Sequence, residues 1–150
     1  MIKVQLSKVR SLFCRPVRGS LTECNLCGNK FSTEGWCTVF DALRDNPQNK
    51  IAKWDLQGQR IGSEIVKSLA AYMAVSHSLT SIDLSDNLIG GHYEFPQFIY
   101  TPEGPKAIAE AIAVASSLTA CDLRYNEFDE LAKQLLRDSV KDRPSFKLEL

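Results

Sequence analysis

The sequence predicts an α/β protein built from stacked strand–helix repeats around a parallel sheet. Three observations lead there. Four segments share one phrase, with apolar residues at phrase positions 1, 4, 6 and 11 and an amide at position 9. Each phrase is followed by apolar residues at helical spacing. The phrases start 30, 28 and 39 residues apart, the period of a strand–helix unit, with an insertion of roughly ten residues in the last interval.

The phrases are Leu21, Cys24, Leu26, Asn29, Phe31; Ile51, Trp54, Leu56, Gln59, Ile61; Leu79, Ile82, Leu84, Asn87, Ile89; and Leu118, Cys121, Leu123, Asn126, Phe128. Positions 4 and 6 alternate on a short strand, so both side chains point to one face. The chain then turns, and its backbone groups lose their ladder partners. A buried amide at position 9 can satisfy them, which accounts for Asn29, Asn87 and Asn126. Gln59 has a longer arm, and a looser turn is expected there. A shortened final unit at Phe146–Leu150 supplies Leu148 and Leu150 at positions 4 and 6.

Helices follow each turn. Val39, Phe40 and Leu43 come after Ser32-Thr33-Glu34, and Ile65, Leu69 and Met73 after Gly62-Ser63. Thr101-Pro102-Glu103 reads as N-cap, N1 proline and first-turn acid ahead of Ala107, Ile108, Ala111 and Ile112. Leu131, Leu135 and Leu136 form the expected stripe after Phe128-Asp129. Polar returns such as Asn46–Asn49 and Ser116-Ser117 lead to the next strand.

The stretches "LTSIDLSDNLIG", "TPEGPKAIAEAIAVASSLTACDLRYNEF" and "LAKQLLRDSV" resemble leucine-rich repeats of the ribonuclease-inhibitor type, over residues 20–150. That resemblance implies a right-handed α/β solenoid of about four repeats, with parallel strands on the concave face and helices on the convex face. Departures are Trp54 and the cysteines at position 4, Gln59, and the insertion after Ile89. A short array needs covered ends, and residues 1–19 and 143–150 are the candidates.

The chain has 150 residues, 18 Lys+Arg and 18 Asp+Glu, hence a formal net charge of zero. Neutrality removes the simplest case for a general nucleic-acid or membrane-surface binder. No stretch approaches a spanning helix of ~20 apolar residues. The balance is uneven, however. Residues 1–20 hold Lys3, Lys8, Arg10, Arg15 and Arg18 and no acid, which leaves a net of −5 in the repeat body. The expected organisation is therefore a basic N-terminal segment or cap at 1–19 and a repeat domain at 20–150, with the insertion at about 90–100. The basic start reads either as an organelle-targeting segment or as an edge of the fold with a strand at Ile2, Val4 and Leu6. The odd count of five cysteines, without a secretory apolar region, points to a reducing, intracellular and by default cytoplasmic setting.

Leucine-rich repeat proteins share an architecture and differ in partner, so the resemblance implies a class of function rather than an identity. The leading expectation is a non-enzymatic protein–protein interaction module, a scaffold or accessory subunit of a larger complex. Two surfaces are candidates. Position 5 points away from the core and reads Asn25, Asp55, Asp83, Asp122 and Glu149. Its four acids form either a ladder for a basic segment of a partner or a solvated column, with Lys53 and Lys147 as neutralising neighbours. The insertion holds Tyr93, Phe95, Phe98 and Tyr100 in a loop opened by Gly90-Gly91, and Pro96 excludes a strand interior. Its aromatics are either interface anchors or covers for helix edges.

Other chemistry is poorly supported. Cys24-x-x-Cys27 with Cys14 and Cys37 invites a zinc reading, but Cys24 occupies a core position and no second pair exists. His77 and His92 lack a nucleophile partner at a diagnostic spacing, and phosphate-loop patterns are absent. No catalytic residue, cofactor or metal is expected. The alternative functions are a regulator of an enzyme, ribonuclease-inhibitor-like or GTPase-activator-like, and attachment of the basic N-terminus to an acidic surface.

Overall fold

The computed structural model describes residues 22–26 and 31–150. Its element order is β1 (Glu23–Asn25), α1 (Thr33–Arg44), β2 (Lys53–Asp55), α2 (Ser63–Val75), β3 (Ser81–Asp83), β4 (Gly91–Glu94), β5 (Gln97–Tyr100), α3 (Glu103–Val114), β6 (Ala120–Asp122), α4 (Glu130–Ser139) and β7 (Lys147–Glu149). Five strands form one parallel sheet in the order β1-β2-β3-β6-β7, and β4-β5 form a separate antiparallel pair. Each helix packs on the next in sequence. The chain is thus a stack of strand–turn–helix units that pack only on their neighbours.

The repeat phrase explains the core. Trp54, Ile82 and Cys121 pair across the sheet at position 4 and are buried, and Leu148 continues the row half-buried. Position 6 supplies buried Leu26, Leu56, Leu84 and Leu123. Burial also pushes the Cys121 thiol pKa far up, so it acts as a small apolar side chain. The large indole at Trp54 fits because α1 brings aromatics to meet it. Phe40 lies edge-on to Trp54 at 6.1 Å, Trp36 stacks on Phe40 at 5.6 Å, and Phe31 meets Trp36 edge-on at 4.9 Å.

The buried amides do what their position predicts. Asn87 Nδ2 donates to the carbonyls of Leu84 and Ser85 in its own turn and of Leu56 in the preceding repeat. Its Oδ1 accepts from the Gln59 and Ile61 amides at 3.0 and 2.9 Å. Asn126 repeats this toward Leu84 O and Ile89 N. Gln59 instead turns its Nε2 back onto Gln57 O at 2.9 Å, since its extra methylene carries the amide past the buried position. Asn29 and Leu21 lie outside the described residues, as does the basic segment 1–19.

The polar returns also bind repeats together. Ser78 Oγ donates to Ile51 O and Ser117 Oγ to Ser76 O, both at 2.9 Å. Thr80 and Thr119 hydroxyls each donate to a carbonyl one strand back, at 3.0 Å. At the far end, Phe146, Leu148 and Leu150 pack on the core, and Arg143 donates to Ile112 O at 2.9 Å and to Leu118 O. Residues 143–150 therefore close that end of the core.

Two helix starts carry side-chain caps. Ser32 accepts from Gly35 N at 3.2 Å and Asp129 from Ala132 N at 2.7 Å. Thr101 does not cap α3. Pro102 stands at the N-cap position without a side-chain cap, and the Thr101 hydroxyl is buried with no hydrogen-bond partner among the described residues. The expected α4 stripe is also corrected. Leu136 is buried with Ala132, but Leu131 is 81% exposed and Leu135 is exposed too. They occupy helix positions that face solvent in the other repeats, where Glu34 and Glu64 are exposed and Thr38 and Ser68 half-exposed.

Replacing Asn87 by Ala should cost about 3 kcal/mol, because it strands buried backbone groups in two repeats. Urea unfolding of the variant measures this; Gln59→Ala, on an exposed amide, should cost much less.

Candidate functional site

Sheet register aligns Asn25, Asp55, Asp83, Asp122 and Glu149 in one row, and the side chains of Asp55, Asp83, Asp122 and Glu149 lie on the face opposite the helices. The three aspartates share a local task. Asp55 Oδ1 accepts from Gln57 N at 3.2 Å, Asp83 Oδ1 from Ser85 N at 2.9 Å, and Asp122 Oδ1 from Arg124 N at 3.0 Å. Each carboxylate thereby opens the turn two residues on. Asp83 Oδ1 also accepts from the Ser85 hydroxyl at 2.6 Å.

Neutralisation comes from a different cation than the sequence suggested. Lys53 pairs with Glu23 at 3.0 Å, and Lys147 makes no ion pair among the described residues. Arg124 instead bridges the row, with Nε 3.0 Å from Asp122 Oδ1 and 3.1 Å from Glu149 Oε2. Its hydrogen bond holds the Asp122 carboxyl below the usual carboxylate range. Arg124 stands just past β6, two residues after Asp122, in the turn that the Asp122 carboxylate opens. Asp55 and Asp83 carry no such bridge from Arg124.

The insertion is not a loop. It is a hairpin in which Gly91 pairs with Tyr100, His92 with Ile99, Tyr93 with Phe98 and Glu94 with Gln97. Pro96 sits in the turn, where a missing N–H costs the ladder nothing, so the expectation about proline holds while the expectation of a loop does not. Pairing sorts the side chains. Tyr93, Phe98 and Tyr100 share one face, with Tyr93 and Phe98 edge-on at 5.0 Å. Phe95 lies at the tip and is fully exposed, and Tyr93 is 62% exposed. On the other face His92 Nε2 lies 3.3 Å from Glu94 Oε1.

The hairpin base is fixed to the neighbouring repeat. Gly90 N donates to Asn126 O at 3.1 Å, and Thr101 N to Gly90 O at 2.9 Å. A Cβ at Gly90 would strike the Asn126 and Glu127 carbonyls, so this close approach needs glycine. Tyr100 is near Asp129; burial first, then this carboxylate, raises its phenol pKa. Between β4 and the turns of the second and third repeats lies a cleft of about 560 Å³, lined by Gly58, Arg60, Asp86, Leu88, His92 and Tyr93 among others. The sequence did not point to Tyr125, which stands 74% exposed on the adjacent turn.

Among the described residues no group of three or more His, Cys, Asp and Glu side chains could hold a metal ion, and Cys37 and Cys121 are free thiols. Cys14 and Cys27 of the zinc reading lie outside the described residues. No described helix is long and apolar enough to cross a membrane.

No family model and no curated protein sequence matches the chain. Solved structures do. The tropomodulin C-terminal domain of Caenorhabditis elegans is similar at a TM-score of 0.73, with 15% identity, over 98% of this chain and 83% of that one. A structure of leiomodin-1 actin-binding site 2 is similar at 0.69, with 18% identity, over 96% of this chain and 75% of that one. These likenesses show a shared fold, a mixed α/β repeat stack. They also correct the ribonuclease-inhibitor-type assignment, since these two solved folds are of the tropomodulin and leiomodin kind. The physical reason is that the strand–amide–helix phrase encodes one unit's local geometry and does not separate families that share it.

Replacing Arg124 by Gln should let the Asp122 pKa rise toward its ordinary value, followed by carboxyl-carbon NMR titration. Because the native value is depressed, the interaction stabilises the fold above the ordinary carboxylate pKa of about 3.9 and is lost as pH falls through the native value. The stability gap between wild type and variant should be present at pH 7 and close in strong acid.

Proposed function

We propose that the chain is a non-enzymatic protein-binding module, with residues 20–150 as its repeat domain. The observation that carries this reading is the hairpin, which exposes Phe95 and Tyr93 on a ribbon locked to the repeat stack. Large aromatics held rigidly in solvent lose little entropy on binding and bury much area. The row of Asp55, Asp83, Asp122 and Glu149 beside this rim gives the surface its negative sign. A basic segment along this row would meet Asp55 and Asp83 at the end away from Arg124, which pairs with Asp122 and Glu149. Phe98 lies edge-on to Tyr93 and holds it in place, and Tyr100 continues the same face of the hairpin.

Actin is the first partner to test, because one solved structure of this fold is an actin-binding site of leiomodin-1. Immobilised chain should retain monomeric actin. Changing Tyr93 and Phe98 together to Ala should weaken retention by at least about tenfold. Changing Asp55 and Asp83 to Asn removes charge while keeping the oxygen that accepts from the turn, and should weaken retention in a salt-dependent way. Unaltered retention by both variants, with circular dichroism showing intact folds, would falsify this choice of surface.

A further inference from the structure

The turn of the second repeat lacks a side chain where the next two repeats carry one. Gly58, Asp86 and Tyr125 hold the same place, three residues after the strand acids Asp55, Asp83 and Asp122. Gly58 leaves a hollow beside Asp86, since a Cβ on it would start 3.6 Å from Asp86 Oδ2. The hairpin supplies another wall. Gly58, Arg60, Asp86 and Leu88 line the resulting cleft from the turns, and His92 and Tyr93 line it from β4. Its volume of about 560 Å³ falls in the range of clefts that hold a ligand.

Two groups in this cleft carry charge that nothing balances. Neither the Arg60 guanidinium nor the Asp86 carboxylate makes an ion pair or a side-chain hydrogen bond among the described residues, and they do not pair with each other. His92 differs, because its Nε2 already faces Glu94 Oε1 at 3.3 Å. Arg60 and Asp86 are exposed, but their backbones are firmly placed. Buried Asn87, next to Asp86, accepts from the amides on either side of Arg60, Gln59 N at 3.0 Å and Ile61 N at 2.9 Å. Leu88 N donates to Ile61 O at 3.0 Å, and Gly58 N to Ser85 O at 3.1 Å. These bonds fix the turn that bears the cation against the turn that bears the anion. An arrangement held in advance needs little ordering when a partner arrives.

We propose that the cleft is a docking site for a short partner segment that carries one acidic and one basic side chain close together. The inference rests on the protein-binding reading and names the chemistry read beside Tyr93. The carboxylate of the segment pairs with the Arg60 fork, and its ammonium or guanidinium meets Asp86. The apolar stems of both side chains lie along Leu88 and Tyr93. A segment of one sign would satisfy one group and set a like charge beside the other, so the cleft selects the combination.

Amide NMR of the isotope-labelled full chain tests this with blocked tetrapeptides at about 5 mM and physiological salt. Two peptides carry both charges, Ala-Lys-Glu-Ala and Ala-Glu-Lys-Ala, and in the controls Gln replaces one charge or the other. At least one two-charge peptide should shift the Arg60, Asp86 and Tyr93 amides, and the controls should shift them less than about a fifth as much. Gly58→Asn puts a side chain into the hollow with a residue that tolerates a positive φ, and should abolish the shifts while circular dichroism stays that of the wild type. Arg60→Glu should transfer the preference to the Lys-only peptides, which loss of structure alone would not do. No shift with either two-charge peptide, equal shifts with the controls, or an unchanged preference in Arg60→Glu overturns the proposal. Actin retention is read separately. A chain that retains actin but ignores the peptides keeps the protein-binding reading and loses the cleft, and one that answers the peptides but ignores actin keeps the cleft and loses actin as its partner.

Discussion

The buried asparagine between repeats is the interaction on which the rest of this structure depends. A strand of three residues that ends in a sharp turn leaves several backbone groups without ladder partners. Asn87 satisfies five of them at once, some in its own repeat and some in the one before. The amide is thus both a turn former and a fastener between units. Asn126 performs the same service one repeat on, and its side chain and carbonyl together hold Ile89 and Gly90, the residues from which the hairpin leaves. Because these bonds are buried, they are not competed by water and the rim above them is rigid.

That rigidity lets the two sides of the stack differ in character. Toward the helices, positions 4 and 6 are confined to apolar side chains by packing, and substitution there changes volume only, as with Trp54 against Ile82 and Cys121. Away from the helices and along the rim, side chains are free to vary. The aspartates show how the two demands meet in one residue. Each gives one oxygen to the turn that follows it and keeps its charge on the open face. Arg124 closes over Asp122 and Glu149 at one end of the row.

How legible the molecule was in its sequence follows from the range of each interaction. The caps at Ser32 and Asp129 are local contacts, with donor and acceptor three residues apart. The Thr101 cap was misread because Pro102 starts the helix in its own way and the hairpin fixes the approach of the chain. The exposure of Leu131 was missed because apolar residues at helical spacing reveal a stripe and not its orientation. The insertion was legible as a distinctive aromatic segment but not as a hairpin, since four-residue strands on either side of a Phe-Pro turn carry little periodic signal.

The sequence by itself determined the repeat: the strand positions, the asparagines that fasten the third and fourth turns, and the acids at position 5 from the second repeat onward. It could do so because a stacked unit touches only its neighbours, so the same local demand recurs in each phrase. Only the tertiary structure decided which family of folds the stack resembles, that Arg124 answers Glu149 across 25 residues, and that the hairpin is bound to the Tyr125 turn. Those facts occur once each. They depend on where distant parts of the chain meet, and a periodic pattern carries no record of a contact that does not repeat.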